Sequence, residues 1–136
     1  MRPISLDTNA YVNFKRGSAP CVEIINRAER LLISSTVIGE LLAGFACGSQ
    51  EARNREELSQ FLASPRVGQC PSSLATADTY ALVYRDLRSK GRPIPTNDIW
   101  IAASAMEMGS ILCSFDEHFH QVDGLRIIRS WAEALP

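Results

Sequence analysis

The sequence offers little that would hold it in a membrane or build a soft-metal site. No apolar run approaches the ~18 residues that read as a spanning helix. Met1-Arg2-Pro3 passes straight into Ile4-Ser5-Leu6, with no apolar signal core and no small-residue cleavage site. A cytoplasmic protein is the expectation. The four cysteines, Cys21, Cys47, Cys70 and Cys113, are widely scattered and form no C-x-x-C pair. Zinc sites and redox motifs need close ligand pairs, so free thiols in a reducing compartment are expected. Charge of one sign is also lacking: the formal net charge is −1. Any contact with nucleic-acid phosphates must therefore come from a local basic patch or a bound metal. Repeats, low-complexity tracts and long linkers are absent. With 136 residues, one domain over 1–136 is expected, large enough to bury a core without disulfides or a structural metal.

What is present is an alternation of short β-like runs and amphipathic helices, the signature of an α/β fold with a parallel sheet. Ile4-Ser5-Leu6 reads as the first strand, followed by a helix over residues 9–15 that Asp7 or Thr8 caps and Gly17 ends. A second helix starts after Ser18 with Pro20 near its first turn, and Val22, Ile25 and Ala28 form its inner face, with Ile24 beside them. Leu31-Leu32-Ile33-Ser34 is the second strand, after which Ser35 or Thr36 caps a helix buried through Val37, Ile38, Leu41, Leu42 and Phe45. Residues 50–63 read as a charged helix anchored by Leu58, Phe61 and Leu62, with a weak strand near Val67. The helix over residues 73–90 is expected to bury Leu74, Ala77, Ala81 and Tyr84. Asn97 is expected to cap a helix reaching Met108, with Trp100 in the core. Ile111-Leu112-Cys113-Ser114 and Leu125-Arg126-Ile127-Ile128 are the remaining strands.

The positions of certain acids carry the chemistry. In open parallel sheets, ligands bind outside the carboxyl ends of the strands. Asp7 follows the first strand and Glu40 lies early in the helix leaving the second. Asp116 comes two residues after the strand ending at Ser114, and Asp98 opens the helix that feeds that strand. Each has a plain structural alternative: Asp7 an N-cap, Asp98 a partner of its helix dipole, Asp116 a turn residue. For Glu40 the alternative is a solvent-facing glutamate beside helix-packing glycines, Gly39 and Gly44. Taken together the four are sharper. Acids this close raise one another's pKa, and no lysine or arginine adjoins them in sequence. A hard divalent cation with oxygen ligands resolves the conflict and brings metal-assisted phosphoryl chemistry within reach. This leaves open RNA, DNA or a small phosphate ester as substrate.

Ile4-Ser5-Leu6-Asp7-Thr8-Asn9 resembles the opening of PIN-domain nucleases, and Ile94-Pro95-Thr96-Asn97-Asp98-Ile99-Trp100-Ile101-Ala102-Ala103 resembles the third motif of their VapC-type toxin branch. Ser114-Phe115-Asp116-Glu117-His118-Phe119 looks like the last acidic motif, and Glu40 within Ser35-Thr36-Val37-Ile38-Gly39-Glu40-Leu41 matches the remaining acid. The resemblance spans essentially the whole chain. It implies a three-layer α/β/α sandwich with sheet order 3-2-1-4-5 and a ribonuclease dependent on Mg²⁺ or Mn²⁺. It also implies a homodimer and a small antitoxin that occludes the site. Carried over by position, Asp7, Glu40, Asp98 and Asp116 are the catalytic acids, with Asp7, Asp98 and Asp116 on the metal. Thr8 would join the metal–water network, and Asn97 would cap its helix and orient Asp98. Ser114 replaces a common threonine while keeping the hydroxyl. His118 stands where a further acid is common, which would weaken a second metal.

The two histidines, His118 and His120, otherwise read as exposed turn residues beside Phe119. Arg85, Arg88, Lys90 and Arg92 form the one basic cluster, either a solvated helix end or a phosphate-contacting rim for RNA. Two rival readings remain: an RNA-binding scaffold of the same fold without turnover, and a phosphatase using Asp7 as nucleophile. The latter usually wants an acid two residues on, where this chain has Asn9. For a partner peptide, Tyr11, Val12, Phe14 and Ile25 are candidate groove walls.

Overall fold

The computed structural model describes residues 1–135, so only Pro136 of the expected domain lies outside it. Five parallel strands, β1 (Ile4–Leu6), β2 (Leu31–Ser34), β3 (Val67–Cys70), β4 (Ile111–Cys113) and β5 (Ile127–Ile128), form one sheet in the order β3-β2-β1-β4-β5. The central strand sets the register: Ile4 pairs with Leu31 on one side and with Ile111 on the other. Because all strands run the same way, the residues after Leu6, Ser34 and Cys113 emerge at a single edge.

Seven helices and one 3-10 turn connect these strands. They are α1 (Thr8–Lys15), α2 (Ala19–Arg27), α3 (Ser35–Ala46), α4 (Glu51–Leu62), α5 (Leu74–Ser89), α6 (Thr96–Glu107), a 3-10 turn over Glu117–Gln121, and α7 (Trp131–Ala134). Side chains alternate between faces along each strand, which splits the core in two. Ile4, Leu6, Leu31, Ile111 and Ile128 pack on Ile24, Ile25 and Ala134 of α2 and α7. On the opposite face Leu112 packs with Val37, Leu58, Leu87, Ile99 and Phe119. The result is the expected three-layer sandwich.

Local details refine the sequence reading. The cap of α3 is Ser34, whose Oγ accepts from the Val37 N–H at 3.3 Å, one or two residues before the expected Ser35 or Thr36. Pro95, extended at φ −55°, ψ 142°, precedes α6, so the helix begins at Thr96 and Asn97 is freed from capping. Helix α6 is buried almost all round, through Asp98, Ile99, Ile101, Ala102, Ala103, Ser104 and Ala105. In α2 the inner face is Cys21, Ile24, Ile25 and Ala28, with Val22 at its margin.

Helix α5 departs most from expectation. It buries Thr76, Val83 and Leu87, a stripe rotated by one residue, about 100°, from the expected one. Leu74 is 79% exposed and Tyr84 42%. The periodicity was shared by two neighbouring stripes, and contact with α6 selects the one facing it. Trp100 is half-buried rather than core: it stacks on Tyr80 at 4.1 Å between centroids, and Tyr80 stacks in turn on Tyr84 at 6.1 Å.

The two faces of α5 make opposite predictions. Leu87→Ala should cost about 2–5 kcal/mol through the cavity it leaves, whereas Leu74→Ala should change stability by less than about 0.5 kcal/mol. Denaturant midpoints measure both, and equal losses would return the buried stripe to the sequence-derived register.

Candidate functional site

Asp7 leaves the central strand and caps α1: its Oδ1 accepts the Ala10 N–H at 2.7 Å. Its Oδ2 accepts the Ser114 hydroxyl at 2.5 Å, and Ser114 Oγ in turn accepts the Asp116 N–H at 3.1 Å. One serine side chain thus joins the ends of β1 and β4 to the acidic turn beyond. Asp116 caps the 3-10 turn, accepting the His118 N–H at 2.9 Å. Asp98 occupies the first turn of α6 and is only 8% exposed.

Glu40 is fixed from two helices at once. Thr8 donates its hydroxyl to Oε1 at 2.6 Å, and Asn97 donates its amide to Oε2 at 2.7 Å. Around it α3 is bare: a methyl group at Gly39 or Gly44 would meet nothing within 4 Å. These glycines leave open space and do not pack against a neighbouring helix. A cleft of about 320 Å³ is lined by Asp7, Thr8, Glu40, Asn97, Asp98 and Asp116, with His118 on its rim. All four sequence-predicted acids and the supporting Thr8, Asn97 and Ser114 converge at this edge of the sheet. Asn97 does so by reaching Glu40; its contact with Asp98 is longer, at 3.5 Å.

Among the described residues, no lysine or arginine pairs with any of the four acids. Burial pushes the Asp7 carboxyl above the usual range, its hydrogen bonds from Ser114 and Ala10 oppose this, and the charges of Asp116 and Asp98 raise it further. Burial likewise raises Asp98, against the hydrogen bond from His118 and with the charge of Asp116. A divalent cation fits this donor set, because it supplies the positive charge that the protein withholds. Asp98, Asp116 and His118 each offer a ligand atom, all within 4.8 Å of one another.

His118 is an exposed turn residue as expected, but it also contacts two of the acids, which that reading did not anticipate. Its Nδ1 donates to Asp98 Oδ2 at 2.9 Å and lies 3.3 Å from Asp116 Oδ1. That hydrogen bond raises the imidazole pKa against a smaller desolvation effect, and both carboxylates add to it. The available signal was spacing: a residue two beyond Asp116 in a tight turn returns to the same side. His120 is the exposed loop residue expected, 3.8 Å from Glu117.

The basic cluster stands apart from the acids. Arg85 lies 3.6 Å from Asp86 and Lys90 contacts Asp123 at 3.0 Å. Arg88 borders a pocket with Tyr84, Pro93 and Ile94, and Arg92 is exposed in the segment leading to α6. Of the expected groove walls, Tyr11 and Ile25 are each 2% exposed and belong to the two core clusters. Val12 and Phe14 are half-buried. A cleft of about 430 Å³ between α1, α3 and α4 is lined by Tyr11, Val12 and Phe45 with Lys15, Arg16 and Arg53.

The family model described as "PIN domain" matches residues 4–125. Ribonuclease VapC4 of Mycobacterium tuberculosis is 26% identical over 96 residues, covering 71% of this chain and 74% of the relative. Among solved structures, DNA-bound VapBC from Salmonella typhimurium aligns with a TM-score of 0.83 at 25% identity, over 94% of this chain and 98% of that one. VapBC-5 of Mycobacterium tuberculosis, a member of the VapBC family of toxin–antitoxin systems, aligns with a TM-score of 0.73 at 21% identity, over 95% and 99%.

The raised Asp7 carboxyl makes a stability prediction with a definite sign. A folded-state pKa above the unfolded value means that the folded protein holds this proton more tightly. The stabilisation is complete below the unfolded value of about 3.9 and is lost as pH rises through the folded one. In chelator at neutral pH, Asp7→Asn should therefore melt higher than the parent, since the amide keeps the cap and removes the charge. The difference should shrink as pH falls toward about 4. A lower melting temperature for the variant at neutral pH would show that the charge is compensated in the protein.

Proposed function

The chain belongs to the PIN-domain family, and from that premise we propose that it is a divalent-metal-dependent endoribonuclease, the toxin of a toxin–antitoxin pair. The observation that carries the reading is the convergence of Asp7, Glu40, Asp98 and Asp116 on one cleft with no lysine or arginine paired to them. RNA as substrate rests on the similarity to Ribonuclease VapC4. The antitoxin rests on the similarity to the VapBC structures. Residues 1–136 are taken as one cytoplasmic domain that works as a homodimer.

In this reading Asp7, Asp98 and Asp116 hold Mg²⁺ or Mn²⁺. When bound, the ion neutralises the cluster and draws electron density from a phosphoryl oxygen. The other residues do the positioning. Ser114 keeps Asp7 and Asp116 in register across two strands. Glu40, held by Thr8 and Asn97 through one hydrogen bond on each oxygen, lines the cleft and accepts the proton of the attacking water. Hydrolysis then forms one P–O bond from water and breaks one P–O bond of the chain. Exposed Arg88 and Arg92 provide the phosphate-contacting rim, while Arg85 and Lys90 are already drawn to Asp86 and Asp123. Asp7 suits ligation better than nucleophilic attack, since it is 4% exposed and both oxygens are engaged.

Two outcomes test the reading. Cleavage of single-stranded RNA should require Mg²⁺ or Mn²⁺, stop in excess EDTA, and fall at least about a hundredfold in Asp98→Asn with the melting profile kept. Undiminished cleavage in EDTA removes the metal from the mechanism. Control by a partner is tested by expression: the chain alone should arrest growth, and a co-expressed small protein encoded beside it should restore it. Such a partner would occupy the cleft between α1, α3 and α4 and bring an arginine fork to the carboxylates. A chain harmless at high expression would remove the toxin role and leave the nuclease intact.

A further inference from the structure

His118 brings an imidazole nitrogen to the acidic cleft, and its surroundings are specific. Nδ1 lies 2.9 Å from Asp98 Oδ2 and 3.3 Å from Asp116 Oδ1. Two adjacent ligands of one octahedral ion, each bound at about 2.1 Å, are separated by about 3 Å. The imidazole and each carboxylate therefore already have the mutual spacing of neighbouring ligands. The backbone of the same residue is anchored as well, through the His118 N–H on Asp116 Oδ1 at 2.9 Å. The side chain remains half exposed, so an ion can enter from solvent without opening the core.

From this geometry we infer that His118 is a direct metal ligand and biases the cleft toward ions that accept nitrogen, Mn²⁺ in particular, over Mg²⁺. Imidazole suits the transition metals, whereas Mg²⁺ takes oxygen almost exclusively and holds its waters. A neutral imidazole also removes one negative charge that an aspartate would contribute, and Mg²⁺, bound chiefly by charge, loses more from this than Mn²⁺ does. The inference rests on the proposed metal centre and narrows which ion it is built for. His120, two residues on, points to Glu117 and serves as an internal control.

The test uses Mn²⁺ itself as the probe. Electron spin-echo spectra of the full chain loaded with one equivalent of Mn²⁺ should contain modulation from a directly bound ¹⁴N. The modulation should vanish in His118→Ala and persist in His120→Ala. By titration calorimetry, His118→Ala should weaken Mn²⁺ by at least about tenfold, the lower end of what outer-shell partners of metal ligands cost, and should change Mg²⁺ much less. His118→Asp should narrow the Mn²⁺/Mg²⁺ ratio by strengthening Mg²⁺. Circular dichroism of the variants checks the fold, which an exposed side chain leaves intact. Bound Mn²⁺ without nitrogen modulation, or an unchanged ratio in His118→Ala, overturns the inference and leaves the metal-dependent nuclease standing. Failure of Mn²⁺ and Mg²⁺ to bind the parent chain overturns both.

Discussion

Four carboxylates facing one cleft repel one another, and the fold holds them there with neutral donors. Ser114 on Asp7, Thr8 and Asn97 on Glu40, and the Ala10 backbone N–H all fix geometry without neutralising charge. An arginine in any of these places would relieve the repulsion and close the cleft to an external cation. The arrangement accepts a local instability, expressed in the raised carboxyls of Asp7 and Asp98, and keeps an acidic cleft of fixed shape. Only His118 departs from this scheme, since it can donate a hydrogen bond, carry a charge or ligate.

The sheet withstands this repulsion. Strand β1 lies at its centre, paired on both sides, so Asp7 follows a backbone held from two directions. The two core clusters on opposite faces then clamp α1, α3 and α6, whose N-terminal halves supply Thr8, Glu40, Asn97 and Asp98. Repulsion of a few charges at the edge works against burial of aliphatic side chains spread over the whole sheet, and burial prevails.

Much of this was legible in the sequence, for a physical reason. A strand followed at once by an acid, as in Leu6-Asp7, states both the element and the side of the sheet, because parallel strands end together. The apolar surround of α6 announced its burial, and the acids at its start and after β4 followed. What was hidden depended on contacts between elements. Thr76 and Leu87, not Leu74 and Tyr84, face α6, and no periodicity within α5 distinguishes the two stripes. The partnership of Asn97 with Glu40 joins residues 57 apart, set by how α3 and α6 sit side by side. His118 looked like a loop histidine because its return beside Asp116 is local, whereas its contact with Asp98, 20 residues away, depends on how α6 meets the 3-10 turn. Both cysteines nearest the site, Cys21 and Cys113, are buried free thiols as expected.

The hydroxyl bridge from Ser114 to Asp7 spans 107 residues, which has a bearing on synthesis. A ribosome adding about 5–20 residues per second releases Asp7 roughly 5–20 seconds before Asp116. Until β4 docks beside β1, Asp7 has neither its serine nor its neighbouring acids, and no shorter nascent chain contains the assembled cleft. The cleft therefore takes shape only once β4 has been made and has docked, which leaves time for a partner made alongside the chain to be present first.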